Sequence, residues 1–210
     1  KLQDRLTAFL PRYATMAARM PFLANLRNTV PGLAKLTERL TGFSATRKLP
    51  TWAARPFKDS EASEGESPQA VVFADCFNRY FEPENLRATL KVMEAADVPV
   101  HLAKAPKGER PLCCGRTFLS AGLIDEAKVE AQRLVDALMP YVEQGLPIIG
   151  LEPSCLLTLR DEIPALLPGE DTSKLAAKAR MLEEYIADQE ANPDFHLPLT
   201  SPAPKVLLHG

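Results

Sequence analysis

The chain has 210 residues, 46% of them hydrophobic, which is enough for one full core with residues left over for an appended segment. No apolar run approaches the roughly 20 residues of a membrane-spanning helix, and no signal peptide opens the sequence. Four cysteines are too few for a disulfide scaffold at this length, so reduced, cytosolic thiols that bind metal or do redox work are expected. The net charge of -2 conceals a split: residues 1–57 carry ten Lys/Arg against two acids, and the remainder carries fifteen against twenty-five. Such a split marks two segments with different surroundings. The first residue is Lys1, and Gly210 follows the apolar run Val206-Leu207-Leu208 closely, so both ends read as cuts in a longer polypeptide.

In chain order, residues 2–42 read as short helices broken by Pro11, Pro21 and Pro31, each proline able to open a helix in a new direction. Leu2, Leu6, Phe9 and Leu10 form one apolar stripe, and Leu33, Leu36 and Leu40 another. Residues 43–57 show little periodicity but carry Trp52 and Phe57. Residues 1–57 are therefore expected to be a basic helical linker or docking segment. Residues 58–69 are acidic, small and polar, and read as a flexible linker.

From residue 70 the pattern changes. The run 70–74 is a continuous apolar strand, 83–96 a helix, and 98–102 a second strand. A loop with Pro106 and Gly108 leads to Cys113, and a long helix follows over 123–143. Residues 146–151 form a third strand, 153–159 and 174–189 two more helices, and 205–208 a fourth strand. Apolar strands alternating with helices predict a parallel sheet covered on both faces, joined by right-handed crossovers. The expected fold is α/β: a Rossmann-like three-layer domain over 70–210, preceded by the short-helix N-terminal segment.

Ligands of such sheets bind outside the carboxyl ends of the strands. Cys76 follows the first strand, Cys113 and Cys114 lie in the connection after the second, and Cys155 follows the third. All four thiols therefore fall on the edge where chemistry is expected. Cys155 sits at a helix start, where N–H groups lower a thiol pKa. Gly115 lets the backbone turn tightly against a ligand, and Arg116 and Arg160 could offset the charge of thiolates, although Arg160 is also placed to pair with Asp161 or Glu162. Four thiolates suit an iron–sulfur cluster or a zinc ion about equally, and the two close cysteine pairs usual for zinc are absent. The bland alternative is that the cysteines are buried small hydrophobes. His101 reads as a core or edge histidine, and His196 and His209 add nothing. No glycine-rich phosphate loop follows a strand, which argues against a nucleotide site, and no Ser/His/Asp arrangement is present.

The spacing Cys76, then Cys113-Cys114-Gly115, then Cys155 resembles the cysteine-rich CCG domain family over about residues 68–210. That family occurs in iron–sulfur subunits of glycolate oxidase, anaerobic glycerol-3-phosphate dehydrogenase, heterodisulfide reductase and lactate-utilisation proteins. The runs 77–83 and 150–162 are most similar to FAD-linked oxidoreductases of the glycolate oxidase and D-lactate dehydrogenase type, in which a flavin domain, a ferredoxin-like domain and two CCG copies share one chain. The resemblance implies that this chain holds the first copy, truncated before the second. It implies Cys76, Cys113, Cys114 and Cys155 as ligands of an iron–sulfur cluster, 4Fe-4S or, alternatively, zinc, with Gly115 and Arg116 beside it. It further implies FAD on another part of the full protein, a flavin domain, a ferredoxin-like domain and a second CCG copy as partners, and electron transfer from a 2-hydroxy acid. Neither catalysis by this piece alone nor a nucleic-acid partner is expected. The family's end motif is often Cys-x-x-Cys, whereas Leu156, Leu157 and Thr158 follow Cys155 here, which argues against a five-cysteine noncubane cluster. The reading of another class is a non-catalytic assembly module with structural zinc or no metal. The location expected is cytoplasmic, with the basic segment peripheral at the inner membrane face as a variant.

Overall fold

The structure, a computed structural model, describes residues 1–62, 67–189, 191–193 and 195–198. Four helices open the chain: α1 (Leu2–Ala8), α2 (Leu10–Ala17), α3 (Pro21–Thr29) and α4 (Leu33–Thr41). Pro11 and Pro21 stand in the first turns of α2 and α3, where a missing N–H is harmless, so the prolines redirect the chain without breaking a helix. A stretch without regular structure then runs to a 3-10 turn at Asp59–Glu61. Asn25 clamps it by donating to the Trp52 carbonyl and accepting from the Trp52 N–H, and Asn28 does the same at Leu49.

The body begins with β1 (Ala70–Val72), α5 (Cys76–Tyr80), α6 (Pro83–Ala95) and β2 (Val100–Leu102). It continues with α7 (Arg116–Ser120), α8 (Ile124–Glu143), β3 (Ile148–Gly150), α9 (Pro153–Arg160) and α10 (Glu162–Leu166). It closes with α11 (Glu170–Lys178), β4 (Ala179–Met181) and α12 (Leu182–Asp188). The four strands form one all-parallel sheet in the order β2-β1-β3-β4.

Alternation along the strands separates two cores. Val71 and Ile148 point into one, with Leu134 and Leu138 of α8, Leu156 and Leu159 of α9 and Leu175 of α11. Ala70, Val72 and Ile149 point into the other, with Leu86 and Met93 of α6 and Tyr185 of α12. Every strand residue of β1 and β3 named here is fully buried, as a parallel sheet with helices on both faces requires. This is the expected three-layer α/β fold. At Gly150, the last residue of β3, Leu156 of α9 packs directly on the backbone: a Cβ there would come within 2.7 Å of the leucine Cδ1.

The sequence reading of two stretches is corrected: the strand-to-helix loop expected over 75–83 carries helix α5, and a helix expected near the chain's end is broken. The single helix expected over 174–189 is interrupted by β4, which pairs with β3 in the register Ile148↔Ala179, Ile149↔Arg180 and Gly150↔Met181. Three residues are too few to imprint an alternating pattern on an Ala-, Lys- and Glu-rich stretch, and tertiary pairing overrides helix propensity there. Arg160 fixes the entry to this strand by donating from Nε and Nη2 to the Ala179 carbonyl. The strand expected over 205–208 lies outside the described residues. Pro140 falls inside α8 without ending it, because that helix is held by its buried face. Among the described residues no helix is long and apolar enough to cross a membrane.

Candidate metal centre

The strand order reverses direction at β1: the chain goes from β1 to β2 on one side and then to β3 on the other. The crevice outside the carboxyl ends of β1 and β3 is where such a sheet binds ligands. The connections after β1, β2 and β3 bring Cys76, Cys113, Cys114 and Cys155 to this edge, all four buried and none in a disulfide.

Asp75 builds the first of these connections. It caps α5, its carboxylate accepting from the Phe77 and Asn78 N–H groups at 2.9 and 3.0 Å and from Asn78 Nδ2 at 2.7 Å. Cys76 is thereby fixed at the first position of the helix. In the second connection, Gly115 adopts φ 81 and starts α7, and its N–H points to Cys113 Sγ at 3.4 Å. A side chain at Gly115 would be strained at this positive φ and would crowd the Ala127 carbonyl at 3.1 Å and Glu130 Cβ at 3.3 Å, so both the turn and the approach to α8 favour glycine. In the third, Pro153 opens α9 and the Glu152 carboxylate accepts from the Ser154 N–H, setting Cys155 in the first turn.

The sulfurs form a connected series. Cys113 interacts with the thiols of both Cys114 and Cys76, and Cys114 donates to Cys155 at 3.2 Å. Adjacent residues face different neighbourhoods: Cys113 packs with Ala14, Cys76 and Tyr80, whereas Cys114 lies with Cys155 in the main core. Bonds from Cys114 and Cys76 hold the Cys113 pKa well below the usual thiol range, assisted by the Gly115 N–H and the charge of Arg110. The Cys113 interaction and burial push Cys76 well up. Cys114 is pushed well up by its bonds to Cys113 and Cys155 and by burial. For Cys155 the bond from Cys114 acts downward, but burial and the charges of Asp75, Cys113 and Glu152 outweigh it and the pKa rises. Within the cluster the thiolate form is therefore most favoured at Cys113. Burial also raises the pKa of Asp75, against the hydrogen bonds from Asn78 and Phe77.

The donor set fits a thiolate-ligated group: four sulfurs from three loops, sheltered from water, with a backbone N–H and a guanidinium near the most acidic of them. The spacing is that of hydrogen-bonded thiols. Four sulfurs at about 2.3 Å from one tetrahedral ion lie about 3.8 Å apart, longer than the Cys114–Cys155 contact. Among the described residues no group of three or more His, Cys, Asp or Glu side chains stands at the geometry of a metal site.

Arg116 pairs with Glu162 and Arg160 with Glu184, so both guanidinium groups are engaged with carboxylates. The cation whose field reaches Cys113 is Arg110, which the sequence reading did not single out. It is held by Glu130, a carboxylate with no exposed surface that also pairs with Arg133 at 3.1 Å and meets Arg12 at 3.8 Å. Glu130 was likewise missed. A charged residue on the inner stripe of α8, three before Arg133, was the available signal for Glu130. His101 stacks edge-on against Tyr141, and His209 lies outside the described residues.

Residues 70–160 match the family described as "Cysteine-rich domain", CCG. The chain is similar to a subunit of the anaerobic glycerol-3-phosphate dehydrogenase of Escherichia coli (strain K12), 25% identical over 151 residues that cover 69% of this chain and 37% of that protein. It is also similar to D-2-hydroxyglutarate dehydrogenase of the same organism, 24% identical over 187 residues that cover 81% of this chain and 17% of the other. The chain therefore spans less than two fifths of the length of these relatives. No solved structure matches it.

Proposed function

We propose, from the premise that residues 70–160 are a cysteine-rich domain of the CCG family, that this chain is an iron–sulfur electron-transfer part of a flavin-linked oxidoreductase. The observation that carries the proposal is the meeting of four buried thiols from three strand-end loops at the switch point of the sheet. Cys76, Cys113, Cys114 and Cys155 are the proposed ligands. A bound cluster supplies reversible one-electron storage. The residues around it exclude water, and Arg110 and the Gly115 N–H offset negative charge at Cys113.

The electron donor in this reading is a 2-hydroxy acid of the glycolate or D-lactate type, oxidised at a FAD carried elsewhere, with a ferredoxin-like domain and a second CCG copy as further partners. The two relatives named as dehydrogenases support an oxidoreductase, and one is named for a 2-hydroxy acid. A peripheral position at a membrane face is supported by the basic residues and exposed Met16, Met20, Phe22 and Leu40 of the N-terminal helices.

Anaerobic reconstitution with iron and sulfide tests the centre. The parent chain is expected to take up iron and sulfide with a visible charge-transfer absorption, and Cys114→Ser to lose both while keeping its far-ultraviolet helix signal. Retention of zinc with no uptake of iron and sulfide would overturn the electron-transfer reading in favour of a non-catalytic assembly module.

A further inference from the structure

We propose that the groove beside the thiols is a second ligand site, for a small organic anion with a phosphate or carboxylate head. The groove has a volume of about 1090 Å³ and lies between α2, residues 54–61 and the start of α6. That is slightly above the ~300–1,000 Å³ usual for small-molecule pockets, as an open groove allows.

Its charge is the first argument. Five cations line it: Arg19, Arg55, Lys58, Arg79 and Arg87. Arg87 is fully engaged by Glu61 and Glu84, and Arg79 is held at one nitrogen by Asp59 at 2.5 Å. No acid pairs with the side chains of Arg19, Arg55 or Lys58 among the described residues. The groove therefore presents more positive charge than its own carboxylates, Asp59, Glu61 and Glu84, neutralise.

Arg79 supplies an independent argument. Its side chain is 6% exposed, and its Nε is buried with no hydrogen-bond partner. The buried Nε is out of a ligand's reach, but a guanidinium held at one terminal nitrogen and otherwise under-satisfied keeps a positive field at the groove wall that an anion can offset. Phe57 packs beneath its guanidinium at 5.9 Å and continues as an apolar wall with Tyr80 and Pro111. A charged head at the cations and an apolar body along this wall match the lining.

The position gives the site its interest. Tyr80 lines the groove on one side and packs with Cys76 and Cys113 on the other. A bound anion would lie one side chain from the thiols, at a surface the proposed electron-transfer role leaves unused. The site does not depend on that role, because its test uses the metal-free chain.

Trp52 is the sole tryptophan and stands with its ring centroid 6.3 Å from that of Tyr80, so it reports on the groove wall. The full chain is titrated at low ionic strength with inorganic phosphate and, separately, with succinate, following Trp52 emission and calorimetric heat. Saturable binding of at least one probe is expected, weakened about ten-fold or more in Arg55→Gln/Lys58→Gln, since each lost charge-assisted bond removes a factor of that order. Both replaced side chains are exposed, and an unchanged thermal midpoint confirms the fold of the double variant. Lys91→Gln, an exposed lysine outside the groove, should bind like the parent. Which probe saturates identifies the head group. Failure of both to saturate, or equal affinity in the parent and the double variant, overturns the proposal.

Discussion

The sheet body and the N-terminal helices spend their hydrophobic residues in opposite ways. In the body, Val71, Val72, Ile148 and Ile149 have no exposed surface, and the helices on both faces cover them with leucine and methionine. In α3 and α4 no residue is buried, and Phe22 and Leu40 are 74% and 66% exposed. α1 and α2 reach the body through the fully buried Ala8 and Ala14, with Phe9 between them edge-on against Phe118 at 5.2 Å and Arg12 over the same ring. Polar links complete the contact: Thr15 shares a hydrogen bond with the Tyr80 hydroxyl at 2.8 Å, and Thr117 donates to the Ala8 carbonyl. The body is stabilised by apolar burial and the N-terminal segment is positioned on it by fit. Amphipathic spacing alone therefore does not tell whether a stripe is covered.

The contrast is broken most readily by truncating one leucine in each region. Leu134→Ala, in the main core, is expected to lower unfolding free energy by ~2–5 kcal/mol. Leu40→Ala should change it by less than ~0.5 kcal/mol. Urea denaturation of both variants reads the difference, and a loss at Leu40 comparable to that at Leu134 would show that the exposed stripe contributes to this fold.

A sharper probe sits where the regions meet. Glu130 belongs to α8, is wholly buried, and gathers Arg110 and Arg133 with Arg12 of α2 nearby. Glu130→Ala leaves guanidinium groups around an uncompensated pocket, and a loss of about 3 kcal/mol is expected. Equal melting temperatures for parent and variant would refute a structural role for this carboxylate.

The smallest expected effect lies at the β4 edge of the sheet. The bond from Arg160, reinforced by the Met181 N–H, holds the Glu184 carboxyl down at about 2. A carboxyl whose folded pKa is depressed contributes above its unfolded value near 4.5 and loses that contribution as pH falls toward 2. Because Glu184 is 43% exposed, solvent screening limits the pair to ~1 kcal/mol or less. The thermal midpoints of the parent and Glu184→Gln should differ at pH 6 and converge as pH approaches 2.

The strands over 70–74, 98–102 and 146–151 were legible because doubly covered parallel strands are continuous apolar runs, and their order in the chain placed all four cysteines on one edge. The prolines marked the N-terminal helices for a comparable reason: their chemistry is local. β4 was not legible, since its three residues owe their conformation to pairing with β3. Around the thiols, Arg110, Glu130 and the capping role of Asp75 were not legible because their importance arises from contacts. Arg110 matters through a carboxylate 20 residues away, and Asp75 through the N–H groups it caps. Arg116, chosen for its nearness in sequence to the cysteines, is turned toward Glu162.

The opposed directions of Cys113 and Cys114 bear on how this molecule comes apart. One sulfur belongs to the small cluster with Ala14 and Tyr80, the other to the sheet core, and these neighbourhoods have no buried side chain in common. As free thiols the pair adds one peptide and the thiol contacts to the links already made by Arg12 with Glu130 and by Thr117 with Ala8. Gathered on one centre, the same four sulfurs would add a further tie between the α2 contact and the sheet, and ligand binding would raise the cost of loosening either one alone.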